Sequence, residues 1–185
     1  MILDDDAIRS RLLRAPSGWP PTSSRLAAVL APLFRRSGEE HLLLIARPRH
    51  LAQHPGQIGF PGGMREGDES PIDCALREYR EELGLPTDGI RILGALPSRD
   101  SSTGIHVHAL VARVPEPRGY ALAEQEVERV LEVPLEDLRN ERRWRVAAHP
   151  RFPGPSSPHF RIAGDLIWGL TGRFCADLVA VLRDL

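Results

Sequence analysis

The sequence predicts an α+β or three-layer fold built from mixed strands and two or three helices. Short apolar runs separated by turn residues recur along the chain, and one segment that begins at Ser70 has clear helical periodicity. The chain has 185 residues, of which 42% are hydrophobic and 26% charged, which is typical of a globular domain. We therefore expect one domain over 1–185, with 1–25 as an N-terminal helix and loop extension.

The elements before Ser70 are predicted from apolar patterning and from Gly and Pro punctuation. They are an amphipathic helix over 5–14, a loop over 15–21, strands over 26–34 and 41–47, and a long Gly-rich functional loop over 55–68.

The helix that begins at Ser70 carries several end signals. Ser70 suits the N-cap, Pro71 the first helical position, Asp73 a capping box and Gly84 the residue just past the end. Its apolar face is expected to hold Ile72, Ala75, Leu76, Tyr79 and Leu83.

The elements after this helix are less regular. We expect strands over 90–96 and 105–114, a helix or loop over 121–131, a pair of strands over 144–148 and 160–168, and a closing helix over 171–185.

Composition narrows the class of partner and the cellular setting. The net charge of −1 does not indicate binding to nucleic acid or to an anionic membrane surface. No apolar run approaches the ~20 residues that a membrane helix needs. Two cysteines, Cys74 and Cys175, favour a reduced, cytoplasmic setting, and the acidic N-terminus does not resemble a secretory signal. All 24 basic residues are arginines, so each arginine needs a local reason before it counts as a phosphate ligand.

Three carboxylates gather near the C-terminal end of the Ser70 helix. At ~100° per residue, Glu78 and Glu82 lie almost above one another, and Glu81 flanks them. They meet the negative end of the helix dipole, which costs about 0.3–1 kcal/mol each, so a hard divalent cation such as Mg²⁺ or Mn²⁺ would relieve the repulsion. The alternative is a solvated acidic face eased by Arg77 and Arg80. Gly62 and Gly63 favour the metal, because glycine lets the backbone approach an ion or phosphate closely.

These residues carry a family resemblance. The segment 63–85 reads GMREGDESPIDCALREYREELGL, which resembles the Nudix box, G-x5-E-x7-R-E-U-x-E-E-x-G-U with U apolar, at every fixed position. The one soft departure is Tyr79, which stands where a smaller apolar residue is common. The resemblance implies a Nudix-type α/β/α sandwich with a mixed sheet, in which this loop and helix hold divalent cations.

The resemblance also implies residue roles. Glu78 and Glu82 would be the principal metal ligands, Glu81 a further ligand or the base, and the Gly63 carbonyl a backbone ligand. Arg77 would hold a glutamate in place, and Glu69 would brace the loop. The implied chemistry is attack of a metal-activated water on a phosphorus of a diphosphate.

A second resemblance concerns the substrate. The segment 42–63 reads LLLIARPRHLAQHPGQIGFPGG and is similar to the extended motif of the coenzyme A pyrophosphatase subgroup, LLTxR followed by GQxxFPGG. Arg47, His54, Gln57 and Phe60 agree with it, whereas Ile45, Pro48 and Ala52 depart. The resemblance implies Arg47 and Gln57 as substrate-binding residues. The alternatives are that Arg47 pairs with a surface carboxylate and that Gln57 only shapes the loop.

Three further residues are also candidates. His106 and His108 alternate on one strand face as a metal pair does, but with no third ligand in the pattern they read as strand decoration. Glu126 is a candidate carboxylate for a second metal, although it lies in an acidic stretch.

The leading hypothesis is hydrolysis of coenzyme A or acyl-CoA, with a small nucleotide-derived molecule as partner, no nucleic acid and no membrane, and a homodimer left open. The near alternative is another diphosphate, such as ADP-ribose, NADH or a nucleoside triphosphate. A third reading is a Nudix fold that binds ligand as a sensor without turnover.

Overall fold

The computed structural model describes residues 2–21, 25–51, 55–149 and 154–185. The helices are α1 (Asp5–Arg11), α2 (Pro71–Leu83), α3 (Leu135–Arg139) and α4 (Gly169–Val181). The strands are β1 (Leu26–Arg36), β2 (Glu39–Ala46), β3 (Ile58–Gly59), β4 (Gly62–Met64), β5 (Arg91–Ala95), β6 (Arg99–Asp100), β7 (His106–Arg113), β8 (Arg129–Pro134), β9 (Trp144–Ala147), β10 (Ser157–Ile162) and β11 (Asp165–Ile167).

The main sheet has mixed strand directions. Strand β1 pairs parallel with β7 and antiparallel with β2 and β4, and β8 adds to the outer side of β2. Strands β9, β10 and β11 form a separate antiparallel sheet. Within the described residues, no helix is long and apolar enough to cross a membrane.

Apolar side chains cover both faces of the main sheet. One face, with Ala28 and Leu30, packs against Ala75 and Tyr79 of α2. On the other face, Ala31, Leu33 and Val111 join a core with Phe160 of the small sheet and Phe174 of α4. This alternation along β1 is what a strand covered on both faces requires. The arrangement confirms the predicted α/β/α sandwich with a mixed sheet.

The N-terminal residues pack into this domain. Leu3 and Ile8 are buried in the core. The buried guanidinium of Arg113 donates to Glu40 at 2.5 Å and to Asp5 at 2.9 Å, and the amide of Leu3 donates to Glu40 at 3.1 Å. Because a buried charge is costly unless it is paired, these bonds tie the segment to the sheet.

Three sequence predictions are wrong in part. The segment 55–68 is not one continuous loop, because it contributes β3 and β4 to the main sheet. The segment 121–131 is a loop only until Arg129, where β8 begins. These three strands form by pairing with β1 or β2, and local patterns carry no information on such partners.

The segment 160–168 is not a single strand. It contains the end of β10 and the whole of β11, because Ala163 and Gly164 adopt positive φ and turn the chain between them.

Candidate metal and active site

Helix α2 begins and ends where the sequence predicts. The Asp73 amide donates to the Ser70 hydroxyl oxygen at 3.2 Å, and the Ser70 amide donates to the Asp73 carboxylate at 3.4 Å. Gly84 adopts the left-handed conformation, with φ of 66°, and its amide donates to the Arg80 carbonyl. This capping box and C-cap set the register of every acidic side chain on the helix.

The apolar face of α2 then sets its rotation. Ala75, Tyr79 and Leu83 are buried against the sheet, and burying such side chains is the main driving force for helix docking. As a result Glu82 lies at the edge of the buried face, where only 2% of it is exposed.

Three carboxylates converge beside the sheet. Glu78, Glu82 and Glu126 each offer one oxygen, and these oxygens lie within 4.8 Å of one another. Glu78 and Glu82 come from α2, whereas Glu126 comes from the loop before β8. The structure thus brings Glu126, the candidate carboxylate for a second metal, to the two principal predicted ligands. Glu81 stands outside this group, with 52% of its side chain exposed.

The two glycines of the loop make room for these carboxylates. The Gly62 amide donates to Glu82 Oε2 at 2.9 Å. A Cβ atom on Gly63 would lie 2.2 Å from Glu78 Oε1, so only glycine lets that carboxylate rest there undisturbed. The Gly63 carbonyl accepts the Cys74 thiol at 3.6 Å, and its role as a metal ligand stays a prediction.

Arg77 connects the loop to the acidic helix. Its guanidinium forms a fork with both carboxylate oxygens of Glu69, at 2.9 and 3.0 Å. It also donates to Glu78 at 2.9 Å, to Glu81 at 3.0 Å and to the Met64 carbonyl at 3.1 Å. Glu69 in turn accepts the Glu66 amide at 2.8 Å. These bonds place Arg77 and Glu69 where the resemblance implies holding and bracing roles.

The carboxyl groups of the site have opposite pKa shifts. Burial, with the charges of Glu78 and Glu126 added, raises the pKa of Glu82 to about 8. Burial also raises the pKa of Glu78. By contrast, the hydrogen bonds from Arg77 lower the pKa of Glu69 to about 2. Clustered oxygen donors whose negative charge is under-compensated suit a hard divalent cation, so the residues fit Mg²⁺ or Mn²⁺.

The predicted substrate residues lie where β2 ends. The Arg47 amide donates to the Gln57 carbonyl at 2.9 Å, which ties the end of β2 to the segment before β3. The preceding residue, Ala46, accepts the Glu128 amide at 2.8 Å, so Arg47 follows a residue bonded to the loop that carries Glu126. The Arg47 Nε is buried and has no hydrogen-bond partner among the described residues. Phe60 is buried in the core. His54 and Ala52 lie outside the described residues.

Trp19 is a site residue that the sequence did not reveal. It lies in the segment predicted only as a loop, yet its indole N–H donates to the Glu69 carbonyl at 2.6 Å. The Arg65 guanidinium stands over its ring, 6.0 Å from the centroid. A tryptophan among Pro and Gly has no periodicity, so no sequence signal could have indicated this contact.

The two histidines of β7 lie close together. The rings of His106 and His108 are 5.1 Å apart, and His106 Nδ1 lies 2.8 Å from Asp100. Across the described ranges, the only group of three His, Cys, Asp or Glu side chains that could hold a metal is the glutamate group. The interpretation of the histidines as strand decoration stays a prediction.

Comparison with known proteins places this site in a family. The NUDIX domain model matches residues 24–152. An uncharacterized Nudix hydrolase, NudL, of Enterobacter sp. strain 638 is 42% identical over 138 residues, which are 74% of this chain and 71% of that protein. NudL of Escherichia coli K12 is 41% identical over 136 residues, 73% of this chain and 70% of that protein.

Solved structures show the same fold. RenU, a Nudix hydrolase of M. smegmatis, superposes with a TM-score of 0.53 at 21% identity, over 68% of this chain and 80% of that one. An Ap4A hydrolase of C. elegans superposes with a TM-score of 0.52 at 21% identity, over 60% and 81%. The family model covers most of the chain and the bacterial relatives exceed 40% identity, so this chain belongs to the Nudix hydrolase family.

Proposed function

We propose that the chain hydrolyses the diphosphate bond of coenzyme A or acyl-CoA, giving adenosine 3′,5′-bisphosphate and 4′-phosphopantetheine or its acyl form. The observation that carries the proposal is the position of Arg47. This arginine belongs to the segment 42–63, which resembles the coenzyme A subgroup, and it directly follows Ala46, whose carbonyl accepts the amide of Glu128 in the loop that carries Glu126. The Arg47 Nε is buried and has no hydrogen-bond partner among the described residues. A guanidinium with a spare donor beside a metal site suits a phosphate oxygen.

The glutamates provide the metal site. Glu78, Glu82 and Glu126 would hold Mg²⁺ or Mn²⁺ through the oxygens that already converge. A bound cation supplies positive charge that polarises the phosphoryl oxygens and acidifies the attacking water. Water then adds its oxygen to one phosphorus, the bond from that phosphorus to the bridging oxygen breaks, and each product leaves with its own phosphate.

The remaining residues position these groups. Arg77 donates hydrogen bonds to both Glu69 and Glu78. Glu69 thereby holds the guanidinium in place, and the guanidinium in turn orients the Glu78 carboxylate. Glu81 is exposed and accepts a hydrogen bond from the same guanidinium. Its proposed role is that of a further metal ligand or of the base. Arg47 would bind phosphate oxygens of the substrate, with Gln57 beside it as a second proposed contact.

Product analysis tests the proposal. Purified protein with Mg²⁺ is incubated separately with coenzyme A, ADP-ribose and NADH, and the products are identified by mass spectrometry. We expect 4′-phosphopantetheine and adenosine 3′,5′-bisphosphate, with kcat/KM highest for coenzyme A. Glu82→Gln is the control that should remove turnover of every substrate. If ADP-ribose is hydrolysed far better than coenzyme A, the coenzyme A proposal fails while diphosphate hydrolysis stands. Binding without turnover would indicate a sensor.

A further inference from the structure

The outer face of the small sheet carries a concentrated positive charge. The register of β9 and β10 places His159 directly opposite Arg145. Arg161 follows two residues after His159, so it lies on the same face. Phe160, between them, points to the opposite face and into the core. The sheet therefore separates an apolar inner face from a basic outer one.

This face is concave, and the described residues that line it include no acidic side chain. A cavity of about 350 Å³ opens on it. Its walls are formed by Arg142, Arg143, Arg145, His159, Arg161 and Leu166. We call these six residues the arginine cavity. Four guanidinium groups thus share one hollow, which is unfavourable unless negative charge is supplied nearby.

Few of these charges are neutralised within the chain. Arg143 pairs with Asp137 at 3.0 Å. Arg145 donates to the Arg142 and Trp144 carbonyls at 3.0 and 2.7 Å, which orients its guanidinium without cancelling its charge. Among the residues that the structure describes, Arg142 and Arg161 have no carboxylate partner for their side chains.

His159 forms part of the wall of the same cavity. It is only 9% exposed, and its Nε2 is buried with no hydrogen-bond partner among the described residues. Because buried side-chain nitrogens are usually hydrogen-bonded, His159 has an unused polar atom behind the cavity wall. Burial, with the nearby charge of Arg161, lowers the pKa of His159.

The arginine cavity is distinct from the metal site. The glutamates on α2 lie on one side of the main sheet, whereas the small sheet joins the core on its other side. None of the residues that line the cavity belongs to the metal site. A ligand in the cavity therefore does not have to be the molecule that is hydrolysed.

We propose that the arginine cavity is a second binding site, for a small molecule that carries two or more phosphate groups. Planar guanidinium forks bind phosphate oxygens in pairs, and several of them in one concavity favour several phosphates over one. The cavity volume of about 350 Å³ lies in the range of roughly 300–1,000 Å³ that small-molecule pockets have, so it suits a small molecule.

Tripolyphosphate is the probe, titrated by calorimetry in EDTA so that no metal can hold it at the glutamates. We expect wild-type protein to bind it with an affinity that falls between about 0.05 M and 0.5 M NaCl, as screening requires. The double variant Arg145→Gln, Arg161→Gln should bind at least about tenfold more weakly, since two charge-assisted contacts are lost. Arg9→Gln, an exposed arginine on α1, is the matched control and should bind as wild type.

Two further measurements keep the result decisive. The double variant Arg145→Lys, Arg161→Lys retains the charge but loses the forks, so intermediate affinity supports the site even if the glutamine variant fails to fold. Turnover of coenzyme A with Mg²⁺ should be unchanged in both double variants, because the cavity is outside the metal site. Equal affinity of wild type and a folded double variant overturns the proposal, as does failure of wild type to bind. Binding of single-stranded RNA without binding of tripolyphosphate also overturns it.

Discussion

Gly63→Ala should separate metal binding from folding. The added Cβ would lie 2.2 Å from Oε1 and 2.5 Å from Cδ of Glu78. Ordinary carbon contacts need roughly 3.4 Å or more, so the carboxylate must retreat by about 1 Å. Oxygen ligands bind Mg²⁺ at about 2.0–2.1 Å and larger divalent cations at up to about 2.6 Å, so a shift of this size removes Glu78 from the group. We expect metal affinity to fall by about 10–100-fold, the usual effect of losing a group that supports a metal ligand.

The fold should survive this change. Gly63 is not among the glycines with a positive φ, so alanine suits its backbone, and the atom it meets is the end of a flexible side chain. We expect the free energy of unfolding of the metal-free protein to change by less than about 1 kcal/mol. The measurements are a thermal melt in EDTA and a Mn²⁺ titration by calorimetry.

Gly62→Ala is the comparison variant, because it should destabilise the fold itself. Gly62 has a φ of 152°, and its Cβ would lie 2.4 Å from the Ala28 carbonyl oxygen and 2.5 Å from Val29 Cα. Backbone atoms held in the β1–β4 pairing cannot retreat, so about 1–3 kcal/mol of stability should be lost. Wild-type affinity for Mn²⁺ in Gly63→Ala, or equal destabilisation by both variants, would refute this reasoning.

Four other changes test the site. Glu82→Gln should abolish most turnover and the Mg²⁺-induced rise in Tm, yet stabilise the metal-free protein. The pKa of Glu82 is 4.5 in the unfolded chain and about 8 in the folded one, so the wild-type protein loses stability as the pH rises from 4.5 to about 8. In thermal melts with EDTA, the Tm advantage of Glu82→Gln over wild type should therefore be absent below pH 4.5 and should grow up to about pH 8. Ser70→Ala should cost about 0.5–2 kcal/mol in a thermal melt, because the cap is lost; an unchanged Tm counts against the cap. Arg47→Ala should raise KM for coenzyme A more than for ADP-ribose with little change in kcat, whereas an equal fall in kcat for both would assign it to the reacting phosphates. The Glu69 contact with Arg77 should contribute stability above pH 4.5 that is lost as pH falls toward about 2, so acid unfolding of Glu69→Gln should lack this dependence.

Helix α2 shows how far local patterns reach. Its cap at Ser70, its end at Gly84 and its buried face could all be predicted, because capping and 3.6-residue periodicity depend on residues within one or two turns. The same periodicity placed Glu78 and Glu82 on one face. The α/β/α architecture was predicted from the family resemblance. The fixed residues and their spacing match the loop and helix that hold divalent cations in that family.

Long-range pairing set the limits of prediction. Strands β3, β4 and β8 were missed because their hydrogen-bond partners lie in β1 and β2, and a two- or three-residue strand has no pattern of its own. The arginine cavity was hidden for the same reason. Its arginines come from separate segments of a chain whose 24 basic residues are all arginine, so composition could not single them out.

The sequence by itself determined the family, the carboxylate helix and the two principal candidate ligands, because these depend on residue types at fixed local spacing. Only the tertiary structure decided which third carboxylate joins them. Glu126 was one acidic residue in an acidic stretch, whereas Glu81 belonged to the motif. The fold brings the Glu126 oxygen to within 4.8 Å of the other two, while Arg77 holds Glu81 on the exposed side. The position of a loop residue depends on how the chain returns to the sheet, and that is decided by packing and strand pairing across the whole domain.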